Sequence, residues 1–306
     1  MTAKPPIDPA LEQRLLRRSI LAACVIAALN VTAGLVLRSQ AILFDGLYTI
    51  IDIVMTFAAL AVSGLIARGE DRRFQFGYWH LEPLLSAING ALLALSCAYA
   101  LLNGARGLLS GGGEVPALPA AAVALVDALI ALAMARYLAR AIRGRASDLL
   151  RADARAWAIG GAFGLGLALA FAGAGGADAV WGGMLSRYAD SLILVLLAVT
   201  LAPIPVHQLV CALRDILVIA PADLDASVAR VAAEVAARHG FVAHRSYVQK
   251  AGRGQFIEIG LLAPPDYRPG TLADLDRIRA EIAEGLGGLG PGRWLTVDFT
   301  ADERWI

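Results

Sequence analysis

Long apolar stretches, separated by short polar segments, dominate the first two thirds of the chain. There are six of them, at residues 19–37, 42–66, 82–109, 117–139, 154–174 and 188–210. A helix needs about 20 mostly apolar residues to cross the hydrocarbon core of a bilayer. Pro116 and Pro119 mark the start of the fourth stretch, and the glycine-rich segment 173–183 separates the fifth from the sixth. The pattern predicts an all-α six-helix transmembrane bundle over 19–212, preceded by a polar segment, 1–18.

After about residue 212 the pattern changes to shorter elements with alternating polar and apolar positions. Helical spacing at 223–239 is followed by strand-like segments 241–248 and 255–262, a second helix at 271–286 and a strand at 294–299. This order predicts a small α+β, ferredoxin-like domain over 213–306. A domain of this length buries a limited core, which favours dimerisation, so we expect a homodimer.

Composition agrees with a membrane protein. The chain has 306 residues, of which 58% are hydrophobic and 17% charged, whereas soluble domains are about 45–50% apolar and about 25% charged. Its mean hydropathy is +0.63. These values exclude a disordered or ordinary soluble protein, and the net charge of +1 offers no nucleic-acid binding surface.

The basic residues are distributed unequally between the two ends of the predicted helices. The N-terminal segment and the loops after the second and fourth stretches hold most of them: Lys4, Arg14, Arg17, Arg18, Arg68, Arg72, Arg73, Arg140, Arg143, Arg145 and Arg151. The alternate loops hold Arg38, Arg106 and Arg187. Because cytoplasmic loops carry the excess of Lys and Arg, we expect both termini to lie in the cytoplasm, with the protein in an inner or plasma membrane.

Ionisable side chains inside membrane spans are costly and usually functional. Asp45 and Asp52, in the second stretch, are seven residues apart and therefore share one helix face, with Tyr48 between them. Their backbones are about 10 Å apart along the axis. Asp153 stands at the start of the fifth stretch. These residues are candidates for a metal site, to which Asp153 would contribute from a neighbouring helix.

Other polar residues in the spans leave alternatives open. Asp127 could pair with Arg136 or hydrogen-bond within the bundle, Asp153 could pair with Arg151 or Arg155, and Asp190 favours a pair with Arg187. Asn30 and Asn89 add amide oxygens, whereas the stripe Gly160, Gly161, Gly164 and Gly166 is explained by helix packing. An oxygen-rich set without thiolate or histidine pairs favours a hard or borderline divalent cation, or protons.

Four segments resemble motifs of the cation diffusion facilitator family. Ser39-Gln-Ala-Ile-Leu-Phe-Asp-Gly-Leu-Tyr-Thr-Ile-Ile-Asp52 is similar to that family's second-helix signature. Phe76-Gly-Tyr-Trp-His-Leu-Glu-Pro83 is similar to the segment that opens its third helix. Leu149-Leu-Arg-Ala-Asp153 and Tyr188-Ala-Asp190 resemble the starts of its fifth and sixth helices. Together with the six spans and the α+β tail, the resemblance covers nearly the whole chain from about residue 15.

The resemblance implies a homodimeric exporter that exchanges a divalent metal ion for protons. The family's usual four ligand positions fall at Tyr48, Asp52, Ala156 and Gly160, so that one usual ligand, Asp52, is retained. Asp45 and Asp153 occupy the family's preceding Asp positions. In the cytoplasmic domain the near matches to the family's metal ligands are His244 and Asp298.

Two interpretations follow from the missing ligands. Either the site has moved, and Asp45, Asp52 and Asp153 form an oxygen-rich site around Tyr48, or the protein is a non-transporting membrane sensor that keeps the fold. In the first case manganese, iron(II), cobalt or magnesium fits at least as well as zinc or cadmium. The metal would be a substrate rather than a permanently bound cofactor. A hydrolytic enzyme is not expected, because the sequence has no nucleophile motif.

Overall fold

A computed structural model describes residues 9–69, 71–113, 115–143, 148–181, 184–252, 254–290 and 292–306. Lys4, Arg145, Gly182 and Gly183 of the sequence-based predictions lie outside these residues. The first part of the chain forms seven helices: α1 Pro9–Leu37, α2 Gln40–Ala67, α3 Leu81–Leu109, α4 Ala117–Ala141, α5 Asp148–Trp181, α6 Met184–Leu201 and α7 Pro203–Ile216. Six stretches are long and apolar enough to cross a membrane, with α6 and α7 forming the sixth, so the six-helix prediction is confirmed.

The helix bounds differ from the predicted spans at three places. Helix α1 begins at Pro9, within the segment predicted to be polar, because Leu15 is buried against Leu138 and Leu150. Helix α5 continues through the glycine-rich segment as far as Trp181. The sixth span is interrupted at Ala202, where Pro203 begins a new helix because proline cannot donate the next backbone hydrogen bond.

Glycines allow close contacts between pairs of helices. A Cβ atom at Gly161 or Gly164 would lie 2.7 Å from Leu132 Cγ or 3.1 Å from Ala128 Cβ, respectively, so α5 packs tightly on α4 at these positions. A Cβ atom at Gly160 or Gly166 would meet no atom within 4 Å. Packing therefore explains two glycines of the predicted stripe and not the other two.

The C-terminal domain contains α8 Ala222–His239, β1 Ala243–Ala251, β2 Gly254–Leu262, α9 Leu272–Gly285 and β3 Arg293–Thr300, followed by a short 3-10 turn. The sheet has the order β1-β2-β3, with β1 antiparallel and β3 parallel to β2. One face of the sheet packs on α8 and α9 through fully buried residues that include Ile257, Leu261 and Ile282. The predicted α+β arrangement is confirmed.

The chain divides into two compact units. The first comprises Met1–Phe57 and Asn89–His207, and the second comprises Ala58–Ile88 and Gln208–Ile306. The second unit thus begins close to the predicted domain boundary at 213 and also takes in the ends of α2 and α3 with the loop between them. This loop therefore belongs to the same unit as the C-terminal sheet.

Candidate functional site

Three polar side chains from α1, α2 and α4 meet within the first unit. The Asn30 amide, which is 2% exposed, donates from Nδ2 to Asp45 Oδ2 at 2.7 Å and to Asp127 Oδ2 at 3.1 Å. One amide group has two N–H donors and can serve both carboxyl groups. The shared donor brings the two carboxyl groups close to each other. Of the two alternatives for Asp127, the structure shows hydrogen bonding within the bundle.

This arrangement places two carboxyl groups side by side in an apolar bundle. Two carboxylates in contact repel each other, and in a medium of low dielectric constant the repulsion is strong. A proton or a cation between their oxygens relieves that repulsion. The Asn30–Asp45–Asp127 cluster can therefore hold a proton or take part in cation binding.

A second pair of carboxyl groups comes from α2 and α5. Asp52 is exposed on α2, and most residues that follow it in this helix are exposed as well. The carboxyl group of Asp52 interacts electrostatically with that of Asp153. Tyr48 is half-buried one turn earlier, with its ring centroid 6.0 Å from that of Phe44, and it interacts with Asp52. The structure thus associates three of the four predicted site residues: Tyr48, Asp52 and Asp153.

Asp153 lies beside polar side chains of α1 and α5. Ser19 and Trp157 are close to its carboxyl group, and the Trp157 indole nitrogen donates to the Ser19 hydroxyl at 2.7 Å. The Oδ2 atom of Asp153 is buried and accepts no hydrogen bond from the residues that the structure describes. A buried carboxylate oxygen without a donor is unusual and requires an explanation.

The four predicted ligands do not come together as one group. Asp45 associates with Asn30 and Asp127, whereas Asp52 associates with Asp153, and the two pairs are separated along α2. Across the described ranges, no three His, Cys, Asp or Glu side chains are close enough to hold one metal ion. The sequence drew attention to Asn30 and Asp127 as polar residues in apolar stretches, but it did not indicate that they contact Asp45.

The family's usual fifth-helix positions, Ala156 and Gly160, are both exposed on α5. The space around Gly160 is open, as its missing Cβ would contact nothing within 4 Å. The absence of ligands at these positions is therefore a matter of residue type and not of crowding.

Asp190 has a different role from the predicted pair with Arg187. Its side chain is 6% exposed and accepts hydrogen bonds from the backbone N–H groups of Gln40 and Ala41 at 3.0 and 3.2 Å. The Ser39 hydroxyl donates to the same carboxyl group. The first N–H groups of a helix have no partner within the helix, so Asp190 of α6 caps α2, the helix that carries Asp45 and Asp52.

In the C-terminal domain the sheet register separates His244 from Asp298. His244 pairs with Leu261, which pairs with Phe299, whereas Asp298 pairs with Gly260. Since adjacent strand positions point to opposite faces, His244 shares the face of the fully buried Leu261, and Asp298 lies on the other face. These two side chains do not form a common ligand set within this sheet.

Residues 16–217 match the model of the cation efflux transmembrane domain. Among curated proteins, it is similar to the manganese efflux system protein MneP of Bacillus subtilis, with 29% identity over 39% of this chain and 40% of the relative. It is also similar to the magnetosome protein MamB of Paramagnetospirillum magneticum, with 29% identity over 34% of this chain and 35% of the relative.

A third relative is the manganese efflux system protein MneS of Bacillus subtilis, with 26% identity over 44% of this chain and 48% of the relative. The chain thus spans less than half the length of each of these relatives. The family match covers most of the chain, and the described helices include six that can cross a membrane. The chain therefore belongs to the cation efflux family of transporters, and it is a multi-pass integral membrane protein.

Proposed function

We propose that this protein exports a divalent metal cation from the cytoplasm in exchange for protons. Membership of a cation efflux family supports cation transport, and similarity to two manganese efflux proteins supports a metal as the cargo. The distribution of basic residues supports cytoplasmic termini. We further propose that the protein works as a homodimer in the bilayer, because its small C-terminal domain offers a limited core of its own.

The observation that carries this proposal is the Asp52–Asp153 pair. The two carboxyl groups come from α2 and α5 and interact electrostatically, and the buried Oδ2 atom of Asp153 has no donor among the described residues. A carboxylate oxygen that is free of hydrogen bonds is well suited to coordinate a cation. In this proposal Asp52 is the central ligand and Asp153 a second ligand on the cytoplasmic side.

The Asn30–Asp45–Asp127 cluster extends the path on the other side of Asp52. Asp45 precedes Asp52 by two turns of α2 and would line the outward part of the path together with Tyr48. Metal ions and protons compete for the same carboxylate oxygens. A carboxyl group can release a metal ion on the outer side of the membrane and take up a proton on the same side. The exchange then needs no separate proton-binding group.

The donor set favours hard or borderline ions. The proposed ligands are carboxylate and phenol oxygens, which suit manganese, iron(II), cobalt or magnesium. Zinc, by contrast, typically binds in tetrahedral sites of nitrogen and sulfur ligands. Manganese is the first ion to test, because two relatives are named as manganese efflux proteins. Zinc and cadmium remain in the screen, and the ion is cargo rather than a resident cofactor.

A second candidate function is a membrane metal sensor that binds ions without moving them. The specific observation in its favour is that Ala156 and Gly160 occupy two of the family's usual ligand positions. Sealed vesicles separate the two functions, because a transporter changes the metal content of the vesicle interior and a sensor does not.

The deciding experiment measures metal flux in proteoliposomes under an imposed pH gradient. Manganese, iron(II), cobalt, zinc, cadmium and magnesium would each be tested with the native protein, Asp52→Asn and Asp153→Asn. Asp266→Asn, which removes the same charge from an exposed loop of the C-terminal domain, is the matched control. We expect saturable flux that falls about 10- to 100-fold in the first two variants and is unchanged in the control. Equal flux in the native protein and Asp52→Asn would refute the site, and absence of flux for all six ions would favour the sensor.

A further inference from the structure

The loop between α2 and α3 has a defined structure of its own. Asp71 Oδ1 accepts hydrogen bonds from the backbone N–H groups of Arg73 and Phe74, each at 2.7 Å, and the Tyr78 hydroxyl donates to the same carboxyl group. The Phe74 ring lies 4.6 Å from the Tyr78 ring and 5.5 Å from the His80 ring, between centroids. These contacts hold the loop in a turn, and the Phe76 side chain takes no part in them.

Phe76 contacts the face of the C-terminal sheet that is turned away from α8 and α9. Its ring centroid lies 5.7 Å from that of Trp294 and 6.4 Å from that of Phe256, in edge-on arrangements. Phe256 and Trp294 are direct partners across β2 and β3. The residues that alternate with them along the strands face the buried core. Phe76 therefore contacts the outer face of the sheet.

Gly252, which follows β1, and Gly254, the first residue of β2, permit a second approach. A Cβ atom at Gly254 would lie 3.1 Å from Trp79 Cγ, and one at Gly252 would lie 2.7 Å from Glu82 Oε2. Gly252 also has a φ of +59°, a conformation that glycine adopts readily. Trp79 and Glu82 follow Phe76 closely in sequence, so one short segment contacts both the outer face and the turn of the sheet.

The contact consists of a few side chains rather than a continuous surface. A cavity of about 860 Å³ lies beside it, lined by the end of α2 at Ser63 and Ala67, by Phe76 and Trp79, and by Arg293 and Trp294 of β3. Phe76 keeps 66% of its surface exposed. Because so little area is shared, the position of the sheet relative to the ends of α2 and α3 depends on the three side chains Phe76, Trp79 and Glu82.

We propose that Phe76, Trp79 and Glu82 form a coupling joint that fixes the C-terminal sheet to the cytoplasmic ends of α2 and α3 and stays closed while the protein works. The joint passes any movement of the C-terminal domain to α2, the helix that carries Asp52. Its role in transport rests on the proposed function, whereas its existence as a closed contact does not.

Cross-linking tests the joint in the full-length protein in membranes. Phe76→Cys is combined with Trp294→Cys, in a background where Cys24, Cys97 and Cys211 are replaced by serine or alanine, and a short thiol-specific cross-linker is added. The control pair is Phe76→Cys with Asp298→Cys, which lies on the same face of the same strand, about 13 Å further along at about 3.3 Å per residue. We expect efficient cross-linking of the first pair and little of the second. Equal yields for both pairs would overturn the joint.

Transport assays then test its role. Before cross-linking, the Phe76→Cys/Trp294→Cys protein lacks both rings, and we expect its flux to be lowered about fivefold, as in Phe76→Ala. Once the pair is cross-linked, we expect flux to return to within about twofold of the native protein. Glu258→Ala, at an exposed position on the same face of the sheet, should leave flux unchanged. Loss of flux on cross-linking would show that the joint opens and would overturn the proposal, as would full flux in Phe76→Ala. If the native protein itself shows no flux, the proposed function fails, and the yields of the two pairs still decide whether the joint exists.

Discussion

Asp45 of α2 and Asp127 of α4 accept hydrogen bonds from the same nitrogen atom, Nδ2 of Asn30. The two residues are 82 positions apart in the sequence, and no motif connects them. A shared donor can orient two carboxyl groups, but it carries no full positive charge to offset theirs. Their repulsion therefore remains to be relieved by a proton or a metal ion.

Asp127→Asn tests whether this pair takes part in cation binding. The substitution removes one negative charge and keeps an oxygen that can accept from Asn30. At a pH high enough to ionise both native carboxyl groups, we expect the metal-free variant to be more stable than the native protein by about 1 kcal/mol or more, because a repulsion between like charges is removed. We also expect added manganese to raise the midpoint of thermal unfolding less than in the native protein. Unfolding would be followed in detergent with and without manganese.

Asp266→Asn is the control for the loss of one charge, and its response to manganese should match that of the native protein. If manganese stabilises Asp127→Asn as much as the native protein, Asp127 is a hydrogen-bond acceptor for Asn30 and has no part in binding.

Asp190→Ala should weaken the anchorage of α2. The substitution removes a buried carboxylate that accepts from the N–H groups of Gln40 and Ala41 and from Ser39. Hydrogen bonds to charged groups contribute about 1.5–3 kcal/mol each, and the contributions of bonds to one group do not add fully. We therefore expect the free energy of unfolding to fall by at least about 3 kcal/mol, as measured by denaturant titration in mixed micelles. Arg187→Ala, less than one turn away on α6, should cost little; an equal loss in both variants would contradict the capping role.

Acid pH should weaken the contact between α8 and α9 through Glu281. His239 Nε2 lies 2.8 Å from Glu281 Oε2, and Arg238 pairs with the other oxygen. The hydrogen bond from His239, with the nearby charges of Arg238 and His239, lowers the pKa of Glu281 below its usual value of 4.5. A carboxylate with a lowered pKa contributes stability that is complete above the usual value and is lost as the pH falls through the lowered one.

Glu281→Gln should therefore be less stable than the native protein at neutral pH, and the difference should disappear as the pH falls from 4.5 through the lowered pKa of Glu281. The midpoint of thermal unfolding of the full-length chain, measured across this range, gives both curves. Glu258→Gln, exposed on the opposite face of the sheet, should follow the native curve. Curves that stay parallel for Glu281→Gln would mean that its ion pairs do not contribute.

The arrangement along the chain could be predicted from the sequence because it depends on local periodicity. Six apolar stretches and the order helix–strand–strand–helix–strand follow from spacing alone, and both were confirmed. The glycine-rich segment was the exception, since α5 remains helical to Trp181. In an apolar environment, backbone groups that leave a helix lose their hydrogen-bond partners, so glycines do not end a helix there as they do in water.

The contacts between elements could not be predicted, because a pattern along one helix does not identify its neighbours. Asp190 has a basic residue three positions before it, and this local pairing predicted an ion pair; the structure uses the carboxyl group to cap a helix that begins 150 residues earlier. The likeness of 76–83 to a family motif likewise gave no sign that Phe76 and Trp79 contact the sheet. Such relationships depend on how α2, α4, α5 and α6 pack.

The family's usual ligand positions on α5 can be filled with ligands to test whether the transport path passes them. Ala156 and Gly160 are four residues apart and share one face of α5, and the space around Gly160 is open to a side chain. Ala156→His combined with Gly160→Asp should therefore fold as the native protein does and add a nitrogen and an oxygen ligand near Asp52. Such a mixed donor set suits zinc. We expect the ratio of zinc to manganese flux in proteoliposomes to rise about tenfold.

Gly166→Asp is the control, because Gly166 is equally uncrowded but lies on a different side of α5. A higher zinc ratio in the double variant, and not in Gly166→Asp, would place the transport path between α2 and α5 at the level of Asp52. An unchanged ratio in a folded double variant would mean that the ions pass Asp52 without approaching this face of α5. The Asp52–Asp153 pair would then have to act with the Asn30–Asp45–Asp127 cluster, which lies earlier along α2. Positions 156 and 160 would have no part in the path.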